Sequence, residues 1–238
     1  MFADLLDRAD AARATAAVEA VLRHGLRCGL TGGLAIEAQL RRSGRPAERR
    51  RLHDIDLVVE RFASIPDSLA GSYLQPHVHP DATEGRTLLQ LVDEPRRIRI
   101  DLFKALGTTL LRARPLGGDT GDLDVLSVED LVARSTALVC GRLRRSLPID
   151  VKHVTAFTRL RGLGAPATLA AAWQDHRQQV PGTLDEASRE AARLLETYPE
   201  LVVVERYSSD PVACASCRPH RSFRPAPAHR VIEILGYC

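Results

Sequence analysis

The alternation of apolar and polar residues predicts strands mixed with helices in the first half of the chain and helices in the second. In the first half, apolar positions follow the helical period in two segments and alternate in several shorter ones. The predicted elements there are helices over 4–24, 34–42 and 64–70 and strands over 27–31, 54–60, 87–92 and 97–103. Residues 77–81 are predicted as a loop and 93–96 as a hairpin turn.

The second half is predicted to be helical. Ser127 and Thr183 each precede an acidic residue by three positions, which is the pattern of a capping box. The predicted helices cover 127–145, 150–160, 166–178 and 184–197. The predicted fold is therefore α/β (α+β), a mixed sheet with flanking helices followed by a helical region. Its predicted divisions are 1–115, 116–205 and a Cys/His-bearing C-terminal appendage over 206–238.

Two carboxylates stand two residues apart at the start of the most apolar strand. Asp54 and Asp56 share one face of that strand, because successive side chains alternate between faces. Burial of such a pair is unfavourable unless a cation compensates it, and hard oxygen ligands suit Mg²⁺ or Mn²⁺. Asp101, on the polar face of the strand over 97–103, converges with them if the strands are neighbours. The alternative is a solvated pair on an edge strand.

A glycine pair and a run of arginines precede these aspartates. Gly32-Gly33 lies between a strand and a helix, where backbone N–H groups can meet a phosphate, or where a tight turn simply needs glycine. Residues 41–51 then contain six arginines. Such a run is usually a solvated surface, but Arg45 and Arg49–Arg51 are candidates to bind a triphosphate or a polyanionic acceptor.

Composition adds little except for the kind of basic residue. Lys104 and Lys152 are the only lysines, so 31 of the 33 basic residues are arginine. This excess fits a genomic bias, and it also fits bidentate contacts to phosphate. The sequence has neither a stretch of about 18 apolar residues nor a secretory signal, and its five cysteines do not form a disulfide pattern. A cytoplasmic protein with no membrane segment is expected.

Taken together, Gly32-Gly33, Asp54-Ile55-Asp56 and Asp101 within Arg97–Phe103 resemble the nucleotidyltransferase superfamily, which has the polymerase-beta-like fold. Leu126–Leu131 is similar to a helix start in the abortive-infection toxin (minimal nucleotidyltransferase) branch. The resemblance covers roughly residues 20–160, and it makes residues 1–115 the catalytic domain.

The resemblance implies transfer of a nucleoside monophosphate from an NTP to a hydroxyl acceptor on RNA, protein or a small molecule, with release of pyrophosphate. Two Mg²⁺ (or Mn²⁺) ions would be held by the three aspartates, with the NTP bound nearby. The implied partners are an acceptor such as tRNA or protein and a cognate antitoxin-like protein. The implied site residues are, for catalysis and metal, Asp54, Asp56 and Asp101 and, for nucleotide binding, Thr31, Gly32, Gly33, Arg51 and Arg99.

The sequence departs from the family pattern at several positions. Gly33 stands where serine is frequent, and Ser135 lies near the place of a lysine in the toxin branch. Arg134, Arg142 and Lys152 are candidate replacements for that lysine. The alternatives to an active enzyme are a catalytically silent nucleotide- or partner-binding module and, ranked lower, a D-x-D glycosyltransferase.

The C-terminal segment carries a separate candidate site. Cys214 and Cys217 have the spacing of a zinc knuckle, and His220, His229 and Cys238 could complete the ligand set. The alternative is a reduced pair packed in a turn as two small hydrophobic residues.

Overall fold

The computed structural model describes residues 2–81, 85–117, 123–204, 224–226 and 228–236. It is a mixed α/β structure, as predicted. Its helices are α1 (Arg8–Leu22), α2 (Gly32–Arg42), α3 (Asp67–Ala70), α4 (Thr109–Arg112), α5 (Val128–Arg144), α6 (Val151–Leu160), α7 (Pro166–His176), α8 (Leu184–Thr197) and α9 (Ala228–Leu235). Its strands are β1 (Cys28–Leu30), β2 (Asp54–Val59), β3 (Leu74–Asp81), β4 (Gly85–Asp93), β5 (Ile98–Lys104), β6 (Arg114–Pro115), β7 (Asp124–Val125), β8 (Ile149–Asp150), β9 (Val202–Val203) and β10 (Arg224–Pro225).

One mixed sheet organises the fold. Its eight strands lie in the order β10-β3-β4-β5-β2-β1-β7-β6, and β8 pairs with β9 separately. The central strand β2 runs parallel to β5 and antiparallel to β1. The strand over 97–103 therefore neighbours the strand that carries the aspartate pair, as the convergence of the three carboxylates requires.

Two apolar cores are joined by α5. The larger core lies between the sheet and helices α1 and α2, and includes Val18, Leu40, Ile55 and Ile100. The smaller one surrounds Trp173 among α5, α7 and α8. Helix α5 contributes to both, because its first turns pack on the larger core and its later turns on the smaller. This arrangement places one side of the helical region against the sheet domain.

The predicted loop at 77–81 is wrong, since these residues belong to β3. Strand β3 pairs with β4, and its register shifts between Leu74 and His77 and again between His79 and Pro80. Such register shifts are typical of β-bulges, which let a strand continue through an irregular sequence.

The described part of the C-terminal segment returns to the sheet. Strand β10 pairs in parallel with β3, and α9 packs Val231 and Ile234 against Leu74 and Val92. His229 lies exposed at the start of α9. The other candidate zinc ligands, Cys214, Cys217, His220 and Cys238, lie outside the described residues, so the zinc site stays a prediction.

None of the helices that the structure describes is long and apolar enough to span a membrane.

Candidate active site

The parallel pairing of β2 and β5 brings the three predicted aspartates together. Asp56 lies opposite Asp101 in the register, and Asp54 lies opposite Arg99. Neighbouring strands are about 4.8 Å apart, so the carboxylates of Asp56 and Asp101 are immediate neighbours. Asp101 is almost fully buried, with 5% of its surface exposed.

The electrostatics of this pair are unfavourable for two ionised carboxylates. Burial, followed by the charges of Asp54 and Asp101, raises the pKa of Asp56 to about 7. Burial also raises the pKa of Asp101 to about 6, against the lowering effect of Arg99. Carboxyl groups with raised pKa values in a cleft are typical of functional sites, because the fold holds charges together that stability alone would separate.

Arg99 contacts two of the three carboxylates. Its guanidinium forms a short ion pair with Asp54 Oδ2, and its Nε lies 3.1 Å from Asp101 Oδ1. Gln90 Nε2, from β4, donates to Asp101 Oδ2 at 3.4 Å. Arg99 was predicted to bind nucleotide, but in this structure it contacts the carboxylates themselves.

The glycine pair lies directly beside Asp56. Gly32 has φ +65°, and a Cβ on it would lie 1.7 Å from Asp56 Oδ2. A Cβ on Gly33 would instead lie 2.9 Å from the guanidinium of Arg50. Because α2 begins at Gly32, the unpaired N–H groups of its first turn start next to the carboxylates. Because the two glycines have no side chains, the carboxylate of Asp56, the start of α2 and the guanidinium of Arg50 lie close together.

Arg134 of α5 closes the other side of this arrangement. Its Nη1 donates to Thr31 Oγ1 at 2.9 Å, and its guanidinium lies 4.7 Å from the centre of the Phe103 ring. Burial lowers the pKa of Arg134, and the charge of Asp56 opposes that shift. The hydroxyl of Thr31 is therefore held by an arginine of the helical region rather than by the backbone of α2.

All of these groups open into a single cleft of about 710 Å³. Its walls come from the central strands β2 and β5, from the start of α2, from the arginine loop (residues 41–51) and from α5 and α6. Among its described lining residues, seven are Arg or Lys and four are Asp or Glu. Each predicted metal and nucleotide residue lines it, namely Thr31, Gly32, Gly33, Arg51, Asp54, Asp56, Arg99 and Asp101. Lys152 and Ser135, singled out by comparison with the toxin branch, line it too.

Arg159 and its partner Glu37 are two further residues of this arrangement that sequence reasoning missed. Arg159 lines the cleft from α6, and it pairs with the buried Glu37 of α2. The two are 122 residues apart, so no local pattern could have joined them. One sequence feature could have drawn attention to Glu37: it lies four residues after Gly33, on the helix predicted over 34–42.

The carboxyl oxygens allow a test of whether a divalent cation suits this site. Asp101 Oδ1 is buried, and its described polar neighbour is Arg99 Nε at 3.1 Å, an ion-pair contact without hydrogen-bond geometry. Three carboxylates supply the hard oxygen atoms that Mg²⁺ prefers. In the described part of the chain, however, no group of three or more His, Cys, Asp or Glu side chains is arranged to hold a metal. The oxygen atoms of the three aspartates suit a divalent cation. The carboxylate of Asp54, however, contacts the guanidinium of Arg99.

Neither the protein-family models nor the curated proteins include a match to this chain.

Proposed function

We propose that this protein is a metal-dependent nucleotidyltransferase that moves a nucleoside monophosphate from an NTP to a hydroxyl acceptor. The observation that carries the proposal is the juxtaposition of Asp56 with Asp101 across parallel strands, with Gly32 packed against Asp56 at the start of a helix. A buried carboxylate cluster beside a helix N-terminus and a set of arginines suits a ligand that combines a metal with phosphates.

In this proposal the acceptor oxygen forms a bond to the α-phosphorus, and the α–β bridging P–O bond breaks. Pyrophosphate leaves with the bonding electron pair, and the hydroxyl proton passes to the carboxylate of Asp101, whose pKa burial raises to about 6. Mg²⁺ or Mn²⁺ held by Asp54, Asp56 and Asp101 would supply a Lewis acid at the reacting phosphate. To join this set, the carboxylate of Asp54 has to leave Arg99, which is then available to the phosphates.

The chain's own groups bind and orient the nucleotide. The first-turn N–H groups of α2 face the phosphates, and Arg50 beside Gly33 adds a charge-assisted donor. Arg134 holds Thr31 on the opposite side, close to Asp56. The acceptor class, with tRNA and protein as candidates, and an antitoxin-like partner stay predictions.

Incubation with each α-³²P-labelled NTP, Mg²⁺ and a mixture of tRNA, proteins and small alcohols tests this function. We expect label on one acceptor class together with stoichiometric pyrophosphate. The Asp101→Asn variant is the matched negative control. Absence of both label and pyrophosphate with every NTP would reject the activity.

A second candidate is a catalytically silent nucleotide-binding module. The contact of Arg99 with both Asp54 and Asp101 favours it, because a guanidinium there already compensates the carboxylates. This candidate predicts that NTP binds equally well with and without Mg²⁺ and is never consumed. Magnesium-dependent binding favours the transferase.

A further inference from the structure

Glu37 is a fully buried carboxylate that contacts two arginines of the cleft lining, and it joins α2 to the arginine loop and to α6. Arg159 donates to both of its oxygens, from Nη1 to Oε1 at 2.6 Å and from Nη2 to Oε2 at 2.9 Å. Arg50 Nη1 lies 3.7 Å from Oε1, and the backbone N–H of Glu48 donates to Oε2 at 2.8 Å. The side chain of Glu37 is 0% exposed.

The two arginines around Glu37 keep part of their surface in the cleft. The side chain of Arg159 is 22% exposed and that of Arg50 is 42% exposed. Both line the cleft, and the Arg50 guanidinium lies where a Cβ on Gly33 would be. One carboxylate between two guanidiniums leaves one net positive charge, positioned beside the start of α2.

A buried carboxylate that holds two arginines in place favours the binding of an anion to those arginines. Long arginine side chains lose entropy when they bind an anion, and a buried partner that holds them in advance removes that loss. Arg159 also donates from Nη2 to Pro46 O at 3.1 Å, so the same contact set orders the arginine loop.

We propose that Glu37 is a positioning residue that presents Arg50 and Arg159 to the terminal phosphates of a bound nucleoside triphosphate. This inference rests on the proposed function and specifies which groups receive the leaving pyrophosphate. It also assigns to α6, through Arg159, a part in phosphate binding.

The direction in which anion affinity changes when Glu37 is replaced separates a positioning role from a purely electrostatic one. Replacement of Glu37 by glutamine removes a negative charge close to the anion, so electrostatics alone makes binding tighter. Loss of the arginine geometry makes binding weaker. Glu48→Gln is the matched control, because Glu48 is exposed on the same cleft and acts on Arg159 through its charge, with no described side-chain hydrogen bond or ion pair to either arginine.

Calorimetric titration with sodium tripolyphosphate tests the inference on the full chain. We expect Glu37→Gln to weaken binding by about tenfold, the effect of one lost charge-assisted hydrogen bond, and Glu48→Gln not to weaken it. Arg159→Lys keeps the charge and loses the planar fork, and we expect a similar loss. The Glu37→Gln/Arg159→Lys double variant should lose no more affinity than the more damaging single variant, because both changes disrupt the same Glu37–Arg159 contact.

Several results would overturn the inference. These are equal or tighter binding by Glu37→Gln, full affinity in Arg159→Lys, or no binding of tripolyphosphate by the wild type. If Glu37→Gln does not fold, Arg159→Lys decides. Binding that depends on Glu37 in a protein that transfers no label rejects the nucleotidyltransferase activity and leaves the role of Glu37 intact.

Discussion

Gly32 and Gly33 are adjacent and identical, yet their surroundings differ. At Gly32 both the backbone and the neighbour demand glycine, because φ is +65° and a Cβ would overlap Asp56 Oδ2. At Gly33 the obstacle is the partly exposed end of the Arg50 side chain rather than a buried group. The first glycine therefore makes the close approach of Asp56 possible, and the second makes room for Arg50.

We expect Gly32→Ala to lower the free energy of unfolding by about 2–4 kcal/mol and to abolish transfer, since left-handed strain adds to a clash with buried atoms. Gly33→Ala should lose less than about 1 kcal/mol, because the arginine can move aside. Chemical denaturation measures both. Equal destabilisation by the two changes contradicts this assignment.

The carboxylates are expected to trade stability for function. Asp56→Asn and Asp101→Asn each remove one of two adjacent buried charges while they keep the shape of the side chain. We expect unchanged or higher stability without metal, and a loss of transfer of at least about 10³-fold. Thermal unfolding and the labelled-NTP assay measure the two effects. Full activity in Asp101→Asn would remove that residue from the mechanism.

At the scale of elements, a buried charged cluster fastens the helical region to the segment after β5. Asp130 of α5 is fully buried, and Arg112 of α4 donates to both its oxygens, from Nε at 3.0 Å and Nη2 at 2.6 Å. His176 Nε2 of α7 lies 3.0 Å from Asp130 Oδ1, and the Ser127 hydroxyl donates to Oδ2 at 2.7 Å. Three helices thus depend on one carboxylate, which keeps α5 against the sheet and one wall of the cleft in place.

This cluster predicts a defined pH dependence. Burial raises the pKa of Asp130, but hydrogen bonds from His176, Arg112 and Ser127 outweigh it and lower the pKa to about 2. The contribution of Asp130 to stability is complete above the unfolded-state pKa of about 4 and disappears as pH falls through about 2. We expect Asp130→Asn to cost about 2–4 kcal/mol near neutral pH, and this difference to shrink between pH 4 and pH 2.

Urea unfolding of both proteins across that pH range measures the difference. The exposed Asp185 of α8 supplies the control Asp185→Asn, for which we expect a change within about 0.5 kcal/mol. A gap that stays constant from neutral pH to pH 2 would show that the ionised form of Asp130 is not what the helices require.

Local signals were sufficient for the elements that are governed by local chemistry. The capping box of Thr183 and Glu186 and the apolar period predicted α8 with its observed bounds, Leu184–Thr197. Ser127 also caps α5, although its hydroxyl reciprocates with the Asp130 side chain. Short strands such as β8 were missed, because Ile149–Asp150 pairs with a strand about 50 residues away and carries no pattern of its own.

The same distinction holds at the scale of the whole molecule. The period-two pattern predicted the shared face of Asp54 and Asp56, and the fold adds Asp101 through strand order. Glu37, Arg134 and Arg159 come together only when α5 and α6 pack against α2, which no spacing in the sequence encodes. The three aspartates and Arg99 were therefore predictable from the strands, whereas Glu37, Arg134 and Arg159 depend on tertiary packing.

The arginine loop helps to concentrate positive charge at the cleft, although the net charge of the whole chain is small. The formal net charge is +3, and the described cleft lining alone has three more basic than acidic residues. Arg49, Arg50 and Arg51 line the cleft, whereas the exposed Arg45 does not appear on its walls. The loop thus divides into a part that lines the cleft and a part that faces solvent.

Arg50→Ala should weaken tripolyphosphate binding by about fivefold or more at low salt, whereas Arg45→Ala changes it less than about twofold. The reason is distance, because Arg50 lines the cleft against Gly33, while the exposed Arg45 lies outside the cleft lining. The dependence of affinity on salt should accordingly be shallower in Arg50→Ala than in wild type and unchanged in Arg45→Ala. Titrations at three salt concentrations measure this. Equal shifts in the two variants would mean that the loop acts only through its total charge.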